Sequence, residues 1–164
     1  RFDAVADMAV DFGFSLQRRS RWTALPPSDV LGVDVWLGDS MGELAGYYAA
    51  ADVVFIGGSL LPLGGQNLIE PIAAGRPTIV GPHMFNFAEA AEKALAAGAA
   101  LQVADAPALL AAVAGLLCNP LRRDTMRDAA LAFHAAHRGS ADRLWAWLEP
   151  RLAAAMRFCR MRTF

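Results

Sequence analysis

Five short runs of strand length, the first alternating apolar and polar residues and the other four apolar, constrain the fold of this chain more than any other feature. They run from Phe14 to Arg18, Val33 to Leu37, Asp52 to Ile56, Thr78 to Val80 and Ala99 to Val103. Strands that alternate with helices are typical of a parallel sheet with helices on both faces. The sequence therefore predicts an α/β domain built on such a sheet.

Helix signals fill the spaces between and after these runs. Residues 2–12 show an amphipathic pattern that Gly13 would end, and later helices are predicted to begin after Asp105 and Asn119. Both of these polar residues are followed within two positions by proline, which suits the first turn of a helix. The C-terminal third of the chain is therefore predicted to be helical.

Length and charge limit the function classes. A chain of 164 residues suits one domain, and a formal net charge of −1 gives no overall attraction for nucleic acid. Cys118 and Cys159 lack CxxC spacing and are expected to be plain thiols in a reducing compartment. No apolar run approaches the roughly 18 residues of a membrane span, so the chain by itself is expected to be soluble.

Three predicted junctions between a strand and a helix share one pattern, a polar residue followed three positions later by Glu. The pairs are Ser40 with Glu43, Asn67 with Glu70, and Asn86 with Glu89. Such pairs are typical of capping boxes at helix starts. In a parallel sheet these junctions lie at the carboxyl ends of the strands, where open α/β sheets bind ligands. The pattern predicts one ligand-binding rim.

Two glycine pairs give the strongest local signal for ligand binding at this rim. Gly57 and Gly58 precede Ser59, and Gly64 and Gly65 follow a few residues later. Glycine allows backbone to approach a ligand closely, and a helix start just beyond it can receive a phosphate. The spacing matches neither the dinucleotide fingerprint nor a P-loop. A phosphate-binding arrangement of another kind is therefore predicted.

A series of motifs, in order along nearly the whole chain, resembles those of Kdo (3-deoxy-D-manno-octulosonic acid) transferases. The most specific is the run from Gly81 to Phe87. The motifs are Gly38-Asp39-Ser40-Met41-Gly42-Glu43-Leu44, Ala51-Asp52, Gly57-Gly58-Ser59, Gly64-Gly65-Gln66-Asn67, Glu70-Pro71, Gly75-Arg76-Pro77 and Gly81-Pro82-His83-Met84-Phe85-Asn86-Phe87. Gln66 departs from the pattern, since the family usually has histidine there.

The resemblance implies the fold and the reaction. The fold would be a doubly wound, Rossmann-like domain of a GT-B glycosyltransferase, and the parent protein would transfer Kdo from CMP-Kdo to a lipid A precursor, with inversion, in lipopolysaccharide biosynthesis. Residues 1–150 would form the C-terminal, nucleotide-sugar-binding domain, truncated at its start, and residues 151–164 a basic tail. No cofactor and no metal are expected.

The resemblance also implies a missing half. An N-terminal acceptor domain and a membrane anchor would precede Arg1 and would carry the catalytic base, so no catalytic residue is assigned here and the chain alone is expected to be inactive. The parent would act at the cytoplasmic face of the bacterial inner membrane. The tail, with four arginines and no acidic residue, is a candidate for peripheral membrane contact.

The residues expected to bind CMP-Kdo come from the matching motifs. They are Gly42, Glu43, Gly57, Gly58, Ser59, Gly65, Asn67, Glu70, His83, Phe85 and Asn86. In this interpretation Glu70 accepts hydrogen bonds from the ribose hydroxyls, Gly58, Ser59 and Gly65 line the phosphate, and His83 contacts the phosphate or the sugar.

Each assignment has a structural alternative. Glu70 could be a first-turn carboxylate favoured by the helix dipole, and Glu43, Asn67 and Asn86 could be capping residues. Only one of the aromatic rings beside Asn86 need face the ligand. For the whole chain, the alternatives are a GT-B domain that uses a UDP or GDP sugar and a noncatalytic nucleotide-binding module.

Overall fold

The computed structural model describes residues 2–23, 32–139 and 144–152. The chain divides into two compact units, residues 1–47 and 48–164. Each unit has its own sheet, and every pairing of strands in both sheets is parallel.

The first unit begins with helix α1 (Phe2–Asp11), which Gly13 ends with a positive φ of 85°. Strands β1 (Leu16–Arg18) and β2 (Val35–Leu37) follow. They pair in parallel, with Leu16 opposite Val35 and Arg18 opposite Leu37. Helix α2 (Leu44–Ala50) begins in this unit.

The second unit contains the larger sheet. Its elements are β3 (Val54–Phe55), α3 (Ile69–Ala73), β4 (Thr78–Val80), α4 (Ala88–Ala96), β5 (Ala100–Gln102), α5 (Ala106–Leu117), α6 (Pro120–His137) and a last helix, α7, at residues 144–152. The strand order is β3-β4-β5. The strands lie within the five predicted runs, which confirms those runs with shorter ends.

Alternate residues of this sheet pack into two separate cores. Ile56 and Val80 belong to a buried cluster with Ile72 of α3 and Ala94 of α4. Ile79, the neighbour of Val80 in β4, instead packs with residues of α5 and α6. Because successive residues of a strand point to opposite faces, the two clusters show helices on both faces of the sheet. The predicted doubly wound α/β fold is confirmed.

Two predicted helix starts are confirmed by their hydrogen bonds. The Oδ1 atom of Asp105 accepts a bond from the amide of Ala108 at 2.8 Å, and Oδ1 of Asn119 accepts one from the amide of Arg122 at 3.0 Å. Each side chain satisfies an amide that the first helical turn leaves unpaired. These caps fix where α5 and α6 begin.

Candidate functional site

Two loops at the carboxyl ends of β3 and β4 form one interlocked rim. The loops are residues 57–67 and 81–87. The amide of His83 donates to the carbonyl of Ser59 at 2.9 Å, and the amide of Asn86 donates to the carbonyl of Gly64 at 3.2 Å. The rim therefore brings together the residues predicted from the glycine pairs and from the motif around His83.

Positive φ angles shape the first loop. Gly58 and Gly65 have φ angles of 72° and 70°, and the amide of Gly65 donates to the carbonyl of Gly58 at 3.1 Å. A Cβ atom on Gly64 (φ 91°) would lie 2.7 Å from Cε2 of Phe85. Side chains are disfavoured at these angles, so Gly58, Gly64 and Gly65 are required by the turn itself.

Gly57 differs from the other glycines of the rim. It is exposed, its φ is not in the left-handed region, and a Cβ atom built on it would meet nothing within 4 Å. The surrounding protein therefore does not require glycine at this position. Open space beside the backbone is what a bound ligand would need.

Ser59, one of the predicted binding residues, is buried between the two loops. Its side chain is 0% exposed, so as placed it cannot line a phosphate through its hydroxyl group. The hydroxyl donates to the carbonyl of Ile56 at 2.5 Å and accepts a bond from the amide of Gly81 at 2.8 Å. Because both bonds are to backbone, this group ties the end of β3 to the end of β4.

The predicted binding residues of the second loop, His83, Phe85 and Asn86, all reach solvent. His83 is partly exposed, and its ring has no hydrogen-bond partner among the described residues. Phe85 is 61% exposed, whereas Phe87 packs against the larger core, so only one ring of the pair is available to a ligand. Asn86 is exposed, and its Nδ2 atom lies 3.4 Å from the carbonyl of Leu63.

Asn67 and Glu70 bond to each other at the start of α3. The Nδ2 atom of Asn67 donates to Oε1 of Glu70 at 2.9 Å, while its Oδ1 accepts from the amide of Ile69 at 3.0 Å. Glu70 is exposed, and its Oε2 atom has no partner among the described residues. The helix begins at Ile69, so Leu68 rather than Asn67 occupies the N-cap position.

Of the three predicted capping boxes, those at Ser40 and Asn86 are wrong. Helix α2 begins at Leu44, and the hydroxyl of Ser40 donates to Oε2 of Glu43 instead of accepting a backbone bond. Asn86 lies inside a short 3-10 helix (Phe85–Phe87), and α4 begins at Ala88 with no side-chain cap. Ser40 bonds to the Glu43 side chain and Asn86 to the carbonyl of Leu63, and neither side chain bonds to a backbone amide of the helix that follows.

Gly42 and Glu43 lie in the first unit and are described there. Gly42 is exposed with a φ of 81°. The carboxylate of Glu43 accepts bonds from Ser40 and, at 2.6 Å, from Nη2 of Arg19. The Ser40 bond, followed by the charge of Arg19, holds the pKa of Glu43 below its usual value. Glu43 is therefore an anchored carboxylate.

A second anchored carboxylate, Asp39, was missed by sequence reasoning. Its side chain is 3% exposed and accepts three bonds of 2.7 Å, from the amide and hydroxyl of Ser20 and from Nε of Arg18. These bonds, the Ser20 hydroxyl first, hold the pKa of Asp39 well below its usual range. Its position directly after β2, at the same end as Arg18 of β1, was the available signal.

The stability of the chain is expected to depend on Asp39 in acid. Since its folded pKa lies below the ordinary value of about 3.9, its contribution is present above that pH and is lost as pH falls further. Circular dichroism melting between about pH 2 and pH 7 should show a steeper acid loss for the wild type than for Asp39→Asn. Parallel curves for the two chains would contradict this role.

Comparison with known proteins assigns the family. No family model matches the chain. The chain is 50% identical over 143 residues to the 3-deoxy-D-manno-octulosonic acid transferase of Bordetella pertussis, and the aligned region covers 87% of the chain and 33% of that protein. It is 39% identical over 153 residues to the Haemophilus influenzae transferase, covering 93% of the chain and 35% of that protein.

A solved structure is similar over most of its own length. The C-terminal CMP-Kdo binding domain of WaaA from Acinetobacter baumannii matches with a TM-score of 0.74 and 33% identity, over 81% of this chain and 67% of that one. The chain belongs to the Kdo transferase family. It spans about a third of the length of the two curated relatives, and its fold matches that of the Acinetobacter baumannii domain.

The predicted binding residues do not line either of two cavities in the second unit. One cavity of about 500 Å³ is lined by residues of α3, α4 and α6, including Ile72, Phe133 and His137. Another of about 500 Å³ lies where β5 and α6 begin, near Leu101 and Asn119. Neither is lined by any of the predicted binding residues.

Neither a metal-ligand cluster nor a membrane-spanning helix is found in the part of this Kdo transferase domain that the structure describes. Across residues 2–23, 32–139 and 144–152, no three His, Cys, Asp or Glu side chains are grouped as a metal site would need. In the same ranges, no helix combines the length and hydrophobicity of a membrane span. The tail from residue 153 onward lies outside the described residues.

Proposed function

We propose that the chain binds CMP-Kdo and serves as the donor half of a glycosyltransferase that transfers Kdo, with inversion, to a lipid A precursor. The observation that carries this proposal is the interlocked rim, in which the backbone at Gly57 is open and the ring of His83 is unpaired, with the unpaired Oε2 atom of Glu70 at the start of the helix that follows the first loop. The likeness of the chain to a domain named for CMP-Kdo binding supports the choice of nucleotide.

Each exposed group of the rim suits one part of CMP-Kdo. Backbone at Gly57 would receive the phosphate, since a Cβ atom built there would meet nothing within 4 Å, whereas the space beside Gly65 is filled by Met84. The unpaired Oε2 atom of Glu70 would accept bonds from the ribose hydroxyls. The imidazole of His83 would donate to the phosphate or to the sugar, and the exposed ring of Phe85 offers an apolar surface to the base.

The reaction requires this half to stabilise the leaving group. As the bond between the anomeric carbon and the phosphate oxygen breaks, the sugar gains oxocarbenium character and the departing CMP gains negative charge. Donors fixed around the phosphate stabilise that charge without rearranging. The base that activates the acceptor hydroxyl would belong to the acceptor domain, and the chain alone is therefore expected to bind without catalysing transfer.

A nucleotide panel tests the proposal. Titration calorimetry should show that CMP binds more tightly than UMP, UDP, GMP or GDP. A clear preference for UDP or GDP would contradict the choice of donor and favour another nucleotide-sugar transferase. Failure of a folded chain to bind any nucleotide would favour a noncatalytic module, with the melting temperature of the same sample showing that it is folded.

Binding of CMP is expected to be independent of divalent metal. A monophosphate carries less charge than a diphosphate, and the imidazole of His83 would donate to it in place of a cation. Calorimetry in EDTA and in excess magnesium should therefore give the same affinity. A large loss in EDTA that magnesium restores would contradict the expectation.

The parent protein is proposed to act at the cytoplasmic face of the inner membrane, with the basic tail as a peripheral contact. Each basic residue near an anionic surface contributes about 1 kcal/mol, which gives weak and salt-sensitive attachment. The chain should sediment with anionic vesicles at low salt, and removal of residues 151–164 should abolish this. Absence of low-salt binding by the full chain would exclude a membrane role for the tail.

A further inference from the structure

We propose that Ser59 is a positioning residue that holds His83 at the rim through the backbone of residues 81–83. The inference rests on the proposed function, because His83 is the group taken to contact the nucleotide sugar. It departs from the family resemblance, which would place Ser59 itself against the phosphate. Its buried hydroxyl group has no route to a ligand.

The contacts of Ser59 hold the loop at two successive points. Its hydroxyl accepts the amide of Gly81 at 2.8 Å, and its carbonyl accepts the amide of His83 at 2.9 Å. Pro82, between these two points, has no amide hydrogen to donate. Every backbone amide in the three-residue segment is therefore held by Ser59.

The peptide of Gly81 is also restrained from its other sides. The Nε2 atom of Gln102 in β5 lies 3.4 Å from the carbonyl of Gly81. A Cβ atom on Gly81 would lie 2.6 Å from the backbone nitrogen of Leu60, so the two backbones are packed without room for a side chain. These contacts fix the direction in which residues 81–83 leave β4.

The ring of His83 depends on this restraint. Since the imidazole makes no hydrogen bond within the described residues, the position of the ring follows the backbone of residues 81–83. Loss of the Ser59 hydroxyl would leave the buried amide of Gly81 unpaired, which costs more than an exposed bond would. The segment would then relax toward other partners and carry His83 with it.

Affinity for CMP tests the inference with a matched control. Ser59→Ala is expected to weaken CMP binding about tenfold. The control is Thr78→Val, which removes another fully buried hydroxyl, bonded to the carbonyl of Arg76 at 2.9 Å, from the opposite end of β4. Thr78→Val should lower the melting temperature to a similar degree and leave CMP affinity unchanged.

A double-mutant cycle separates action through His83 from a general effect. His83→Ala alone should weaken CMP binding about tenfold, and the pair Ser59→Ala with His83→Ala should also show about a tenfold loss. A loss of about a hundredfold in the pair would mean that Ser59 acts independently of His83, and the inference would fall.

Nuclear magnetic resonance without nucleotide keeps this test separate from the proposed function. Ser59→Ala should shift the amide resonances of Gly81 and His83 and the ring resonances of His83, whereas Thr78→Val should not. If the wild type binds no CMP, the proposed function fails and the resonances still decide whether Ser59 positions His83. Unmoved ring resonances, or moved ones with unchanged CMP affinity, overturn the inference.

Should Ser59→Ala fail to fold, Ser59→Cys decides by the same two readouts. Cysteine nearly preserves the volume of the side chain but replaces the hydroxyl by a weak donor and acceptor. The expected changes have the same direction and smaller size. A folded Ser59→Cys chain with wild-type resonances and wild-type CMP affinity would refute the role of the hydroxyl.

Discussion

Gly81→Ala is expected to lower the free energy of unfolding by about 2–4 kcal/mol, because the added methyl group overlaps the backbone of the neighbouring loop. The new Cβ atom would lie against the carbonyl group of Ser59 and 2.6 Å from the nitrogen of Leu60. These are backbone atoms within a hydrogen-bonded rim, so no flexible side chain can move aside. Urea unfolding followed by circular dichroism measures the change.

Gly57→Ala is the matched control for this prediction. It lies at the end of β3 in the same rim, and its Cβ atom would meet nothing within 4 Å. Its free energy of unfolding should stay within about 0.5 kcal/mol of the wild type. Equal stability of the two variants would show that the two loops are not packed as closely as the structure places them.

Glu70→Ala is expected to weaken CMP binding by about 1–3 kcal/mol, or roughly 5- to 150-fold. The reason is the loss of a charged acceptor, since Oε2 of Glu70 is unpaired in the structure while Oε1 already receives a bond from Asn67. The fold should persist because the side chain is exposed. Titration calorimetry on the folded variant gives the affinity.

Glu89→Ala distinguishes ligand binding from a helix effect. Glu89 is also an exposed first-turn glutamate, in α4, and is paired with Lys93 at 2.5 Å. If first-turn charge alone mattered, both substitutions would lower stability by a few tenths of a kcal/mol to about 1 kcal/mol and leave CMP affinity alone. Unchanged affinity in Glu70→Ala would therefore reassign Glu70 to helix capping.

The sheet could be predicted from sequence because its signal is local. Each strand lies inside a predicted run, which alternates apolar and polar residues for β1 and is apolar for the others, and β4 coincides with the predicted run from Thr78 to Val80. The helix starts at Asp105 and Asn119 could also be predicted, since a polar capping residue followed by proline is typical of the first turn of a helix. Local sequence chemistry and the tertiary structure agree at these places.

The capping boxes failed because side chains with two bonding groups had other partners available. Asn86 bonds to the glycine loop 22 to 23 residues earlier in the chain, and Ser40 bonds to the carboxylate of Glu43. A pattern of two residues three positions apart cannot show which hydrogen-bond partner will be nearest after folding. Propensity gives way to tertiary contacts in both cases.

Residues that act at a distance along the chain were not visible in the sequence. Asp39 contacts Ser20 and Arg18 only because β1 and β2 pair in parallel, which brings together residues 19 to 21 positions apart. Ser59 was recognised as part of a motif, but its burial depends on how the two loops of the rim pack. The sequence therefore predicted the location of the rim and not the division of roles within it.

Chemical-shift mapping with CMP tests the central claim, that the rim at the carboxyl ends of β3 and β4 is the nucleotide site. Titration of CMP into isotopically labelled chain should perturb the amides of residues 57–70 and 81–86 most strongly. Perturbations concentrated instead around Ile72, Phe133 and His137, in the cavity between α3, α4 and α6, would contradict the account.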